Sequence, residues 1–101
     1  MNAVDTEAIA ACVTACPSVV ALSGGPTGSV ATYLPGRRVV GVRARGPSVE
    51  VHVVGRWDVP VPKLADEVRS AIAALVNGRA VEVVVEDLVD GVVPTGSAVP
   101  A

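Results

Sequence analysis

Phenylalanine is missing from the sequence, and Trp57 and Tyr33 are its only aromatic residues. A chain so poor in rings has no row of aromatics on which successive bases could stack, which weighs against single-stranded nucleic-acid recognition. Cysteine is scarce as well: Cys12 and Cys16 are the only two, too few for the disulfide framework of a small secreted scaffold. As a metal pair they need further ligands, and His52 is the sole histidine available to help them. No cofactor or metal motif is present. No run approaches the ~20 consecutive apolar residues of a membrane-spanning helix. The N-terminal stretch Met-Asn-Ala-Val-Asp-Thr-Glu carries two acids and no basic residue, so it does not read as a secretory signal. Glycine at the second position and a C-terminal prenylation cysteine are both absent. These absences together predict a cytoplasmic chain that reaches a membrane only through a partner.

What remains is mostly aliphatic. Half of the 101 residues are hydrophobic, and nearly all of them are Val, Ala, Leu and Ile, a length and composition that fit one domain with one modest core. Branched side chains pack well on a pleated surface, so a valine-rich core predicts strands. The formal charge of −2 is small, but it is unevenly spread. Arg37 to Arg56 holds five arginines against Glu50 alone, whereas Asp58 to Asp90 holds seven acids against Lys63, Arg69 and Arg79. A basic middle and an acidic C-terminal half allow charge pairing within the fold or between copies.

Asp5 and Thr6 are good helix N-cap residues, and Glu7 falls in a first turn. Ile9, Cys12, Val13 and Cys16 follow at helical spacing until Pro17 stops the helix. Val19 to Leu22 reads as a short strand. The segment from Ser23 through Gly28 to Pro35-Gly36 reads as a loop, with one turn of helix around Val30 to Leu34. The clearest element is a hairpin, in which Val40, Val42 and Ala44 alternate with Gly41, Arg43 and Arg45, and Val49, Val51 and Val53 alternate with Glu50, His52 and Val54. A connection at Gly46-Pro47 places Arg45 opposite Ser48, Arg43 opposite Glu50, Val42 opposite Val51 and Val40 opposite Val53. A slip of one residue would turn the whole apolar row outward.

Pro60 and Pro62 introduce a second helix, whose apolar stripe is Val61, Leu64, Ala65, Val68, Ile72 and Leu75. Asn77-Gly78 stops it. A last strand has Val81, Val83 and Val85 inward and Glu82, Val84 and Glu86 outward. The expected domain runs over residues 5–88, with an N-terminal extension at 1–4 and a flexible Gly/Pro/Ser/Thr-rich tail at 89–101. The order helix, three strands, helix, strand predicts an α+β two-layer sandwich: an approximately four-stranded, mostly antiparallel sheet with both helices on one face.

The segments Leu22-Ser23-Gly24-Gly25 and Tyr33-Leu34-Pro35-Gly36-Arg37-Arg38, followed by Val49-Glu50-Val51-His52-Val53-Val54, Arg56-Trp57-Asp58-Val59-Pro60-Val61-Pro62 and Val81-Glu82-Val83-Val84-Val85-Glu86-Asp87, resemble the alkaline shock protein 23 family. They are most similar to its short, actinobacterial-type members, over roughly residues 4–88. The resemblance implies a non-enzymatic protein of cell-envelope homeostasis and the envelope stress response. It further implies a homo-oligomer, held at the inner face of the cell membrane by a small membrane-anchor protein or a family paralogue. On this resemblance the chain is expected to be a member without the long C-terminal extension that some carry.

Several residues invite a chemical reading. The Gly24-Gly25-Pro26-Thr27-Gly28-Ser29 loop lacks the Gly-Lys-Ser/Thr ending of a phosphate loop and reads as a turn. His52 has no nucleophile or pocket beside it in sequence and reads as solvated strand surface. Trp57 suits either a partner contact or a cover over the end of the core. An arginine patch of Arg37, Arg38, Arg43, Arg45 and Arg56 supports the alternative of a small nucleic-acid-binding module. The expected working surface is the open sheet face, with Arg43, Glu50, His52, Val54 and Val84, together with Trp57.

Overall fold

The computed structural model describes residues 4–90. Asp5 opens the first helix as its sequence position predicts, its carboxylate accepting the Ala8 N–H at 3.0 Å, and α1 runs over Thr6–Thr14. Val4 before the cap and Ile9 in the following turn both join the core cluster, the placement of a hydrophobic staple. The second helix, α2, spans Val61–Ile72 and tightens into a 3₁₀ turn at Ala73–Leu75. Pro60 sits at its N-cap and offers no side-chain cap. Left-handed Asn77 and Gly78 (φ 53° and 79°) end it, as that dipeptide predicts.

The strands are β1 (Val19–Leu22), β2 (Ala31–Leu34), β3 (Arg37–Val40), β4 (Val42–Arg45), β5 (Ser48–Arg56) and β6 (Ala80–Val89). The fold is α+β with mostly antiparallel sheets: a four-stranded sheet of β1, β4, β5 and β6 and a separate pair, β2–β3. β5 is bonded to all three other strands of its sheet, antiparallel to β1 and β4 and parallel to β6. β1 and β4 lie end to end along one edge of β5, and His52 marks the join. Its N–H donates to the Gly41 carbonyl and its C=O accepts from the Ser23 N–H, each at 2.8 Å.

Between these two collinear strands the chain makes an excursion that the sequence reading does not contain. Val30 to Leu34 is no helical turn; Ala31–Leu34 pairs with Arg37–Val40 around Pro35-Gly36 as a hairpin. Gly36 has φ 78°, which suits the position after proline in a type II turn. The hairpin is tied down by the Thr32 hydroxyl, which donates to the Val42 carbonyl at 2.6 Å, and by Arg37, which holds Glu7 of α1 at 2.6 and 2.9 Å. The predicted register of β4 on β5 is observed from Val42↔Val51 to Arg45↔Ser48. It stops there: Val40 pairs with Ala31, and Val53 pairs with Leu22. The cause is Gly41, at φ 87°, where a Cβ would lie 2.9 Å from Leu22 Cβ and 3.0 Å from the His52 carbonyl oxygen.

Ile9 and Val13 of α1, Leu64, Val68 and Ile72 of α2, and Val42, Val49, Val51 and Val53 are all fully buried in one cluster. Both helices therefore cover the same face of the sheet. Two bulges flank the end of β5: Val20 is the extra residue of β1, and Glu86 that of β6. The second bulge reverses the alternation, so that Glu86 and Asp87 both avoid the core while Leu88 turns inward beside Gly55. β6 consequently continues to Val89, past the predicted domain end at Leu88. Residues 1–3 of the expected extension and 91–101 of the expected tail lie outside the described residues.

Leu64→Ala should cost about 2–5 kcal/mol, the usual range for emptying a sealed aliphatic site. Gly41→Ala should cost about 1–3 kcal/mol through the left-handed backbone alone. Denaturant unfolding measures both, and an unchanged midpoint for either variant would mean that its site is misassigned.

Candidate interaction surface on the open sheet face

Alternation along β5 sends Val49, Val51 and Val53 into the core and leaves Glu50, His52 and Val54 on the opposite face. Arg43 and Arg45 of β4 flank Glu50 on one side, and β6 supplies Glu82, Val84 and the bulged Glu86 on the other. Glu50 is the hub of this face. Arg43 Nη2 donates to its Oε1 at 2.9 Å, Arg45 Nη1 lies 3.4 Å from its Oε2, and His52 Nε2 lies 3.3 Å from Oε1. The other imidazole nitrogen, Nδ1, is 2.6 Å from Glu86 Oε2. A continuous polar chain thus runs from β4 across β5 to β6.

The His52 and Glu50 side chains are only 12% and 13% exposed. His52 is therefore not the solvated residue that its strand position suggests. It is enclosed between two carboxylates, one of them 34 residues away in sequence. The bulge brings Glu86 there by pushing an acid out of register. Both ring nitrogens lie within hydrogen-bond reach of a carboxylate. Arg43 Nε is buried and makes no hydrogen bond among the described residues; Nη2 carries the contact to Glu50.

Burial raises the Glu50 carboxyl, but hydrogen bonds from Arg43 and His52 and the charges of Arg43 and Arg45 together outweigh it, holding the group below the usual carboxylate range. A carboxyl whose folded pKa is depressed stabilises the fold fully above its unfolded pKa of about 4.3, and that contribution is lost as the pH falls through the folded value. Glu50→Gln should therefore lower the melting temperature at pH 7, and the gap to wild type should narrow toward pH 3. A gap that stays constant across that range would show that the Glu50 charge contributes nothing.

The apolar members of this face are half-buried Val54 and Val84, which is 37% exposed. They lie in neighbouring rows, Val84 beside His52 and Val54 beside Asp87. Trp57 stands beyond the end of β5. Its backbone N–H donates to the Val89 carbonyl at 2.6 Å, and the residue is 68% exposed. The indole does not cover the end of the core. Tyr33, on β2, is 67% exposed, so both rings of the chain face solvent.

The arginines do not form a free basic patch. Arg37 is paired with Glu7, Arg43 and Arg45 with Glu50, and Arg56 with Asp58; Arg38 alone of the five has no acidic partner among the described residues. Cys16 is buried and Cys12 half-buried, and both are free thiols. Burial first, then the charges of Glu67 and Cys12, raises the Cys16 thiol, which makes it a poor nucleophile. No group of acids, histidine and cysteines among the described residues is arranged to hold a metal. The Gly-rich loop closes on itself, with Gly28 N–H on the Gly25 carbonyl and Val30 N–H on that of Gly24, and it leads into β2. Comparison of the chain with protein-family models, with curated proteins and with solved structures finds no match in any of the three.

Proposed function

We propose that this chain is a non-enzymatic protein of cell-envelope homeostasis and the envelope stress response, working by self-association and by docking to a small membrane-anchor protein. The observation that carries this reading is the open sheet face, where Val54 and Val84 stand among charges that are already paired with one another. Paired charges around these valines fix orientation. The resemblance of the Tyr33 to Arg38 and Val59 to Pro62 segments to the alkaline shock protein 23 family supports the envelope role. On this reading the chain meets the inner face of the membrane through its anchor, and no helix among the described residues is long and apolar enough to cross a membrane.

Val54→Glu and Val84→Lys test the surface. Neither side chain belongs to the core cluster, so both variants should keep their melting temperature within a few degrees of wild type. Each should abolish capture by the anchor. Wild-type capture of both variants would remove the open face from consideration and leave the Trp57 loop in its place.

A further inference from the structure

We infer that the outer edge of β6 is a self-pairing edge, at which two copies of the chain join antiparallel about a two-fold axis at Val83 and extend the sheet across both. The inference rests on the proposed self-association and gives it a site. β6 is ten residues long and, among the described residues, bonds to no strand but β5. The phase of that ladder is fixed by the Ala80 N–H, which donates to the Pro47 carbonyl at 3.1 Å. In a parallel ladder alternate residues turn both backbone groups the same way, so Ala80, Glu82 and Val84 face β5 while Val81, Val83 and Val85 face outward. The other side of β5 agrees, since His52 directs both its groups to Gly41 and Ser23. Arg69 Nε reaches the Val81 carbonyl at 3.3 Å, which marks that oxygen as outward-facing and leaves it a second lone pair.

An exposed row of this kind is a template for another strand. The opposite edge is a poorer one, because β1 and β4 are four-residue strands interrupted at Gly41. At β6 the apolar row also runs out uncovered: Val81, Val83 and Val85, with Leu75 and Leu88, are only partly buried. A second copy brings the same row and its own α2 to cover it, which is the self-complementarity a two-fold interface requires. Charge selects the register. An axis at Val84 would set Glu82 directly opposite Glu86 of the second copy. An axis at Val83 sets Glu82 opposite Val84, Val81 opposite Val85, and Val83 opposite itself, so that valines meet on the helix side and no two acids face each other.

Sedimentation velocity over a concentration series, with residue-resolved amide exchange on the full chain, tests this. The expected result is a reversible dimer in which the Val81, Val83 and Val85 N–H groups are protected at high concentration and exchange rapidly when dilute. Val83→Pro removes an outward donor and none of the bonds to β5, so it should weaken the dimer at least about tenfold while the Glu82 and Val84 amides stay protected. A monomer at every concentration overturns both the edge and the self-association. A dimer whose outward amides exchange equally fast at all concentrations overturns the edge alone, even if the proline variant fails to fold. Protection of those amides only on adding an unrelated basic peptide assigns the edge to a foreign strand and overturns self-pairing.

Discussion

β5 carries the rest of the structure because it is the one strand to which all others of the main sheet are bonded. Its odd-numbered valines are sealed beneath both helices, while its even-numbered residues make the open face. Burying three valine side chains supplies roughly 5–9 kcal/mol before entropy is counted. None of that survives a one-residue slip of register. β1 and β4 on one side and β6 on the other therefore take their places from β5. Gly55, where a Cβ would lie 2.4 Å from Leu64 Cδ1, lets α2 settle directly on the strand's backbone.

The polar chain on the open face follows from the same geometry. Arg43 meets Glu50 because the β4–β5 register places them opposite each other, and His52 meets Glu86 because the β6 bulge pushes an acid out of line. Exposed ion pairs contribute little, but Glu50 and His52 are nearly covered. Removing one member would leave its partner desolvated and unpaired. The network locks β4, β5 and β6 in register. It also pairs Arg43 and Arg45 with Glu50 on the face that Val54 and Val84 interrupt, while Glu82 of β6 has no ion pair among the described residues.

Much of this was legible in the sequence. The Asp5 cap, the apolar stripe of α2 and its Asn77-Gly78 stop are local signals. The β4–β5 register could be read because alternating valines and one arginine–glutamate pair agree on a single answer. The β2–β3 hairpin escaped because Val40 continues the alternation of Val42 and Ala44 across Gly41. A lone glycine in such a run marks a bend or close approach, and Gly41 is both. The enclosure of His52 depends on an acid 34 residues away; the only hint was the doubled acid Glu86-Asp87, which breaks the alternation of β6 where the bulge occurs. Nothing local to Trp57 could decide between solvent and core, since that depends on where α2 begins.

Association is the role we propose from these features: a sheet with a partly apolar face, an outward-facing edge strand and two exposed aromatic rings. Attachment to the envelope through a partner is the central claim of this account. Fractionation of the native cells beside a host that lacks any partner tests it most directly. The account predicts that the protein sediments with membranes in its own cells, is released from them without detergent, and stays in the supernatant in the foreign host. Recovery in the supernatant from both, or a need for detergent in both, would contradict it.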